Sequence, residues 1–511
     1  MTFYSILYET VADGVQTETP DEPAFFLDLG LDQIVEAVTA GKQEYNLKPF
    51  FHTPLHDVDA IQYRHEVMQD LENEAVFASI RTFAAGLQAM RRHLTQADKL
   101  YYAYQRKRWF LEAVEIYCDA VNVLVGDLAK FDLKSRGLQA FRAYVTDYAA
   151  AADFTTLQST LRGLLADLST VQYCLLIKDT TIKVRRFEGE SDYSADVEAT
   201  FQKFKQGAVK DYRVKLPDWM QMNHVEAKIL ELVAQLHPEV FARLDEFCDV
   251  HAHYLDDRLA RFDREVQFYL AYLEHLAGFK HAGLPFCYPQ VSNTSKAVQA
   301  SDTFDLALAN RLVNGHATIV RNDFALKGLE RILVVSGPNQ GGKTTFARTF
   351  GQLHFLASLG CPVPGRAAQL YLFDQLFTHF EKEEDIHNLR GKLQDDLERL
   401  YEILAQATAD SIIILNESFT ATTLQDAIFL SKKVMETIIE LDALCVCVTF
   451  IDELSALSEK TVSMVSTVVP DNPAQRTFKI LRRPADGLAY ALVVAEKHGL
   501  TYDQLKERIP A

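Results

Sequence analysis

The chain has 511 residues, of which 48% are hydrophobic, so it is long enough to bury several cores and to form two to four domains. Its formal net charge of -18 argues against a protein that coats nucleic acid through overall charge, so any such contact must come from a local basic patch. No apolar run approaches the roughly 18 residues needed to cross a bilayer, which argues against a membrane-spanning helix.

The N-terminus and the cysteines bear on where the protein works. The first Lys or Arg is Lys42, so the N-terminus lacks the basic region of a secretory signal. None of the seven cysteines forms a CxxC pair, and Cys445 and Cys447 lie in an apolar run, which argues against a disulfide or metal site. We therefore expect a cytoplasmic protein with reduced thiols.

Residues 1–50 suggest no function, and their apolar run at 23–30 predicts only a packed strand or helix. Beyond them, no proline occurs between Pro54 and Pro217, which favours long helices. In this stretch and further along the chain, apolar residues recur at intervals of three and four residues, as on one stripe of a helix that packs against another helix. The two clearest stripes are Val76, Ile80, Phe83, Leu87 and Met90, and Leu255, Leu259, Phe262, Val266, Tyr269, Leu273 and Leu276.

A β-hairpin is predicted to interrupt these helices. Residues 171–177 and 181–187 have strand-like composition and are separated by the turn KDT. The stretch 176–215 carries nine Lys or Arg and seven Asp or Glu, hence a charge of +2. Lys183, Arg185 and Arg186 lie on or beside the hairpin. From charge alone, an ordinary solvated surface is the better interpretation.

From about residue 301 the pattern changes to strands that alternate with helices. The predicted strands are 332–335, 371–380, 412–415, 444–450 and 478–481, several of them too uniformly apolar for a half-exposed sheet. We expect an α/β nucleotide-binding domain with a largely buried sheet.

The sequence GPNQGGKT at 337–344 fits the phosphate-loop pattern GxxxxGK[ST] and lies between a predicted strand and a predicted helix. Glycines let the backbone N–H groups face phosphates at the positive end of the following helix. Lys343 is expected to reach the β- and γ-phosphates, and the Thr344 hydroxyl to ligate Mg²⁺. The predicted ATP-binding residues of this loop are Gly337, Pro338, Asn339, Gln340, Gly341, Gly342, Lys343, Thr344 and Thr345.

A second element further along the chain completes the predicted site. The apolar strand at 411–415 ends in Asn416 and Glu417. Glu417 is the candidate catalytic residue, because a carboxylate there can orient or deprotonate the attacking water. Asn416 can contact Mg²⁺ through a water but brings no negative charge. Magnesium binding should be weakened rather than abolished, because the phosphates and Thr344 remain as ligands.

These motifs resemble those of the MutS family of DNA mismatch-repair ATPases. The family's phosphate loop is close to GPNMGGKST, and here it reads GPNQGGKTT; its acidic strand, roughly DE-x-G-x-GT-ST, is matched by NESFTATT. An Asn-Asp pair upstream is matched by Asn322 and Asp323. Residues 449–454 and 487–500 are similar to the family's THxHEL segment and its C-terminal SYGIxVAxxAGxP run. Residues 54–71 and 285–291 are more weakly similar to the ends of its core and lever region.

The resemblance implies an α plus α/β architecture. A helical core and lever domain would occupy 51–300, with a β-containing clamp inserted at about 165–216, and a P-loop ABC-type ATPase domain would occupy 301–511. The family's cofactors are ATP and Mg²⁺, its partner is DNA, and its ATPase domains form dimers, here expected to be a homodimer. The hairpin then falls at the DNA clamp, which makes Lys183, Arg185 and Arg186 candidate nucleic-acid contacts.

Two further site assignments follow only from the resemblance. Ile319 matches a position where the family packs an apolar side chain on adenine, although plain core packing explains it equally well. Gly391 and Lys392 match weakly the signature that reaches the nucleotide of the partner subunit in trans.

Three departures from the family pattern matter. The chain begins near the core region, so we expect the mismatch-reading N-terminal domain, with its Phe-x-Glu wedge, to be missing. Asn416 stands in place of the magnesium-site Asp. Phe450 stands in place of the histidine in THxHEL and cannot hydrogen-bond a γ-phosphate.

The leading hypothesis is an ATP-binding, dimeric MutS-like protein that engages branched or otherwise structured DNA and hydrolyses ATP slowly. The alternative is a nucleotide-gated structural or interaction protein, acting on ribosomes or structured RNA with little turnover. A third class, an ABC- or SMC-like ATPase head, shares the site chemistry but not the segments NESFTATT and YALVVAEKHGL.

Overall fold

The computed structural model describes residues 3–10, 18–19, 21–190, 193–202, 222–313, 318–381, 391–469, 472–485 and 500–508. Contacts divide the chain into two compact units. The helical unit contains residues 74–132 and 140–263, and the sheet unit contains residues 3–73, 133–139 and 264–511. Within the described ranges, no helix is long and apolar enough to cross a membrane.

Helices account for most of the secondary structure. Helices α1 to α8 span Phe26–Leu29, Leu31–Thr39, Lys48–His52, Val58–Leu71, Glu74–Lys99, Ala103–Leu128, Arg136–Ala150 and Ala152–Ser169. Helices α9 to α17 span Tyr193–Gln202, His224–Leu236, Pro238–Val250, Asp257–His281, Leu306–Leu312, Lys343–Ser358, Lys392–Gln406, Leu424–Leu441 and Tyr502–Arg508. Short 3-10 helices span Gln43–Tyr45 and Asp452–Ala456.

The strands of the described residues form four separate sheets. Strands β1 to β7 span Tyr173–Lys178, Thr181–Arg186, Phe286–Cys287, Gln290–Ser292, Val298–Thr303, Asn322–Leu326 and Ile332–Ser336. Strands β8 to β14 span Val363–Pro364, Ala367–Tyr371, Leu376–Phe380, Ile412–Asn416, Leu444–Val448, Thr461–Val469 and Asn472–Arg482. The orders are β1-β2, β3-β8, β4-β9-β5-β6 and β10-β11-β12-β7-β13-β14.

The helical unit is built on long helices, as the sequence predicts. Helices α5 and α6 pack against each other, and all five residues of the first apolar stripe, from Val76 to Met90, are buried. Helix α10 begins with a capping box, in which Asn223 accepts from the backbone N–H of Glu226 and the Glu226 carboxylate accepts from that of Asn223.

The predicted hairpin is also present. Strands β1 and β2 pair antiparallel, from Tyr173 opposite Arg186 to Lys178 opposite Thr181, and Asp179 in the turn has a positive φ of 54°. Of the predicted clamp at 165–216, residues 191–192 and 203–216 lie outside the described residues.

The six-stranded sheet explains why its strands are so uniformly apolar. Strands β10, β11, β12, β7 and β13 are parallel, and only β14 runs antiparallel. On one face, Ile413 and Leu415 of β11 join a buried cluster with α16. On the other face, α14 approaches so closely that a Cβ at Gly351 would lie 2.7 Å from the Ile414 side chain. Helices therefore cover both faces, which confirms the predicted buried sheet.

Three sequence-based expectations need refinement. Of the predicted strand at 371–380, only residues 376–380 form a strand, β10, whereas Tyr371 is the last residue of β9, which belongs to a different sheet. The chain turns between β9 and β10, where the Asp374 carboxylate accepts hydrogen bonds from the hydroxyl groups of Ser411 and Thr408. Helix α12 begins at Asp257, so Leu255 of the predicted stripe precedes it and is half-buried. The other six stripe residues are buried, and so are Phe268, Leu270 and Tyr272, so the middle of the helix is covered on all sides. The run at 23–30 contains the short helix α1 rather than a strand.

Candidate functional site

The loop between β7 and α14 has the backbone conformation that a phosphate cradle needs. Gly337 and Gly342 have positive φ values of 113° and 89°, and Gln340 has one of 58°. Ser466 on β13 packs against the loop and donates from Oγ to the Gly341 carbonyl at 2.8 Å. A Cβ at Gly337 would lie only 2.9 Å from the Ser466 carbonyl oxygen, so both the φ value and the space require glycine there.

Lys343 is the first residue of α14 and is only 4% exposed. Its Nζ donates to the Gly337 carbonyl at 2.9 Å and to Asn339 Oδ1 at 3.1 Å, and it lies 3.5 Å from Glu417 Oε1. Burial lowers the pKa of the Lys343 amine, and the Glu417 carboxylate partly opposes that effect. The amine is therefore held inside the loop between backbone oxygens and one carboxylate.

The end of β11 meets the start of α14 as predicted. Thr344 donates from Oγ1 to Asn416 Oδ1 at 2.9 Å. Glu417 follows with a positive φ of 53°, and its N–H donates to the Val448 carbonyl of β12 at 2.9 Å. For a residue other than glycine, a positive φ is a strained backbone conformation, and it persists where neighbouring contacts hold the backbone in place. The turn directs the Glu417 carboxylate toward Lys343.

A cavity of about 630 Å³ opens beside this loop. Its lining contains most of the predicted ATP-binding residues: Asn339, Gln340, Gly341, Gly342, Lys343, Thr344, Thr345 and Ile319. Glu417 lines it as well. Buried Lys343, the glycine-dependent loop and the neutral oxygens of Thr344 and Asn416 together fit a nucleotide with its magnesium ion.

Two features of the cavity were missed by sequence reasoning. Phe478 on β14 lines it, is 48% exposed and has a positive φ of 58°. Asn322 fixes this part of β14, because its Nδ2 donates to the Phe478 carbonyl at 3.1 Å and its Oδ1 accepts from the Ile480 N–H at 2.8 Å. Leu308 and Leu312 of α13 add apolar surface. The Asn-Asp pair was the available signal for this arrangement, but no pattern connected it to Phe478.

Other predicted residues lie apart from the cavity lining. Phe450 follows β12, is 48% exposed and does not line the cavity. Gly391 is exposed, and Lys392 forms an ion pair with Glu381 of the same chain. Most of the resembling run at 487–500 and residues 388–390 of the signature segment lie outside the described residues.

The predicted contact residues Lys183, Arg185 and Arg186 do not share one face of the hairpin. Pairing places Arg186 opposite Tyr173, on one face, whereas Arg185 and Lys183 are opposite Cys174 and Leu176, on the other. Arg186 donates twice to the Leu236 carbonyl, at 2.6 and 3.1 Å, and Arg185 forms an ion pair with Glu190. Lys183 is exposed.

Known proteins are similar to the part of the chain that contains the phosphate loop. The family model MutS domain V matches residues 333–506. The DNA mismatch repair protein MutS of Orientia tsutsugamushi is 28% identical over 219 residues, which cover 42% of this chain and 24% of the relative. The protein of the same name from Zymomonas mobilis is 30% identical over 229 residues, covering 43% of this chain and 26% of the relative.

A relative with a different name matches as well. Endonuclease MutS2 of Gemmatimonas aurantiaca is 28% identical over 206 residues, covering 39% of this chain and 25% of the relative. The chain thus spans about a quarter of the length of these curated relatives. The match to MutS domain V runs from β7, before the phosphate loop, to α17, so this part of the chain is similar to that domain of the MutS family.

Proposed function

We propose that the chain binds ATP with Mg²⁺ in the cavity beside Lys343, hydrolyses it slowly and uses the bound nucleotide to control a homodimer that engages structured DNA. The observation that carries this proposal is the convergence of Lys343, Thr344 and Glu417 on one cavity, together with the hydrogen bond that joins Thr344 to Asn416. The names of the relatives, DNA mismatch repair protein and endonuclease, support DNA as the partner.

Each residue has a role that follows from its position. The loop N–H groups and Lys343 bind phosphates, because they place positive charge at the beginning of α14. Mg²⁺, when bound, neutralises phosphate charge, and Thr344 and Asn416 are the residues that would hold it. Glu417 orients a water, because its carboxylate faces the same cavity. Phe478 offers an aromatic face to the nucleotide base.

Slow hydrolysis follows from what this site lacks. Asn416 is neutral where the family has a carboxylate, so less charge holds the metal. Phe450 brings no polar group and lies away from the cavity lining. Losses of single preorganised polar groups slow chemistry by about 10²- to 10³-fold. We therefore infer that the protein spends most of its time with ATP bound.

A titration with labelled ATP tests the binding step. Lys343→Ala removes the buried cation, and we expect it to weaken ATP binding by at least about tenfold, the effect of losing about 1.4 kcal/mol. The control is Lys433→Ala, which removes an exposed lysine paired only with Glu436 on the same helix. Equal ATP affinity of the parent and Lys343→Ala contradicts the assignment.

Two solution measurements test the remaining parts. Light scattering with and without Mg-ATP is expected to show a dimer that nucleotide tightens, and an unchanged monomer contradicts nucleotide-controlled dimerisation. Gel-shift competition among duplex, mismatched, branched and single-stranded DNA and structured RNA identifies the nucleic acid. Preference for branched DNA supports the proposal, and preference for structured RNA replaces DNA with the alternative partner.

A further inference from the structure

A buried histidine connects two segments beside the candidate catalytic residue. His379, in β10, is 1% exposed, and its Nδ1 lies 3.2 Å from Oγ of Ser418. Its Nε2 lies 3.3 Å from Oδ1 of Asp396, in the second turn of α15, a close contact without hydrogen-bond geometry. Ser418 directly follows Glu417, so one imidazole ring joins α15 to the turn that carries the catalytic carboxylate.

Asp396 makes a second connection to the same turn. Its Oδ2 accepts from the Phe419 N–H at 3.3 Å, and Phe419 is buried with a positive φ of 62°. Burial raises the pKa of the Asp396 carboxyl, but the His379 ring, the Phe419 N–H and Arg399 outweigh burial and hold that pKa below its usual range. A charged carboxylate therefore fixes the backbone of the turn to α15.

Glu381 connects the same two segments near the surface. Its carboxylate forms an ion pair with Lys392, the first residue of α15, and accepts from Thr420 Oγ1 at 3.0 Å. The beginning of α15 is thus tied to residues 418–420 by two carboxylates and one histidine.

We propose that His379 and Asp396 are positioning residues that couple the beginning of α15 to Glu417 and so fix the position of the catalytic carboxylate. The inference rests on the proposed ATP-binding function. Glu417 and Phe419 both have strained positive φ values, 53° and 62°, which persist only where neighbouring contacts hold them. Neither His379 nor Asp396 lines the cavity, so both act through Glu417 rather than on the nucleotide.

The test uses Asp396→Asn and His379→Leu, with Glu402→Gln as the matched control. Glu402 is an exposed carboxylate on the same helix and is not part of these contacts. ATP affinity is measured by titration, hydrolysis in a single turnover, and coupling by hydrogen–deuterium exchange of residues 392–396 and 417–420 with and without Mg-ATP.

We expect unchanged ATP affinity in both variants and hydrolysis lowered about 10- to 100-fold, the range for residues that support an active-site group. Mg-ATP should change exchange at 392–396 in the parent and in Glu402→Gln but not in Asp396→Asn. His379→Gln, which can still hydrogen-bond Ser418, should recover part of the rate.

Parent-like hydrolysis together with a parent-like exchange response in Asp396→Asn overturns the coupling. If that variant does not fold, Ser418→Ala, which removes a single hydroxyl, provides the same comparison. If the parent binds no ATP, the proposed function fails by itself. The coupling is then tested by hydrogen–deuterium exchange without nucleotide. Asp396→Asn must raise exchange at residues 417–420 above that of the parent, and Glu402→Gln must not. Equal exchange at 417–420 in the parent and Asp396→Asn overturns the coupling.

Discussion

The cavity beside Lys343 and the β1–β2 hairpin differ in how their charged side chains are held. At the cavity, Lys343 and Glu417 lie 3.5 Å apart and face one space, and the lysine is nearly fully buried. On the hairpin, Lys183 and Arg185 lie on one face and Arg186 on the other. Both arginines have partners within their own unit, Glu190 and the Leu236 carbonyl.

The difference shows that a phosphate-loop motif predicts a site more reliably than a run of basic residues does. A phosphate-loop motif specifies backbone turns and a helix start, so its residues converge wherever the motif folds. A run of basic residues specifies only charge, and strand alternation then distributes that charge over two faces. Substitutions at four places test whether the cavity residues act together and the hairpin residues act separately.

The largest effect is expected at Glu417. Glu417→Gln keeps the size of the side chain but removes the carboxylate, and we expect single-turnover ATP hydrolysis to fall by at least about 10²-fold with ATP still bound. Asn416→Asp should act in the opposite direction and raise the rate, because Asp retains the acceptor for Thr344 and adds charge for Mg²⁺. A parent rate that Glu417→Gln leaves unchanged would move the catalytic role to another residue.

Phe478 is expected to have the next largest effect. Phe478→Ala removes the aromatic face from the cavity, and stacking of a base on an aromatic ring contributes about 1–3 kcal/mol, so ATP affinity should fall about tenfold. The control is Phe429→Ala, because Phe429 is 60% exposed on α16 and does not line the cavity. A titration in which both variants match the parent would exclude Phe478 from nucleotide binding.

Substitutions on the hairpin are expected to change DNA affinity less, and by different amounts at Lys183 and Arg186. Lys183→Glu should lower DNA affinity and reduce the salt dependence by about one phosphate contact, because Lys183 is exposed. Arg186→Gln should change binding less, since its guanidinium already donates to the Leu236 carbonyl. Gel shifts at several salt concentrations separate the two variants. Equal effects would show that the arginine leaves its partner, and no effect of either would remove the hairpin from the interface.

The smallest effect is expected at Asp442, whose carboxylate lies among three cationic side chains. Its carboxylate accepts from Lys460 at 2.6 Å, Arg331 at 3.1 Å and Lys296 at 3.4 Å. Burial raises the pKa of the Asp442 carboxyl, but these cations outweigh burial and hold that pKa below its usual range. Asp442→Asn keeps a residue that tolerates the positive φ of 59° and should cost about 1 kcal/mol or less.

The pH dependence of this last effect has a definite sign. A lowered folded-state pKa contributes stability above the unfolded value of about 3.9, and that contribution is lost as pH falls through the folded pKa. The difference in melting temperature between the parent and Asp442→Asn should therefore be full at pH 7 and shrink below about pH 4. A difference that is the same at pH 7 and pH 3 would mean that the charge of Asp442 does not stabilise the fold.

The sequence by itself determined the elements and the local chemistry of the site. Strict apolar spacing specified α5, and uniformly apolar runs followed by Gly337 or by Asn416 and Glu417 specified β7 and β11, because these signals depend on residues close together in the chain. The division at residues 50 and 300 and the roles of Gly391 and Lys392 stay predictions.

Only the tertiary structure decided which distant residues meet. Phe478 reaches the cavity because Asn322, far away in sequence, holds β14, and His379 meets Asp396 and Ser418 because parallel strands and α15 bring three separate segments together. The separation of β9 from β10 depends in the same way on contacts of Asp374 with Thr408 and Ser411. Periodicity and motifs report local conformation, whereas such contacts depend on how buried elements pack, which no single segment encodes.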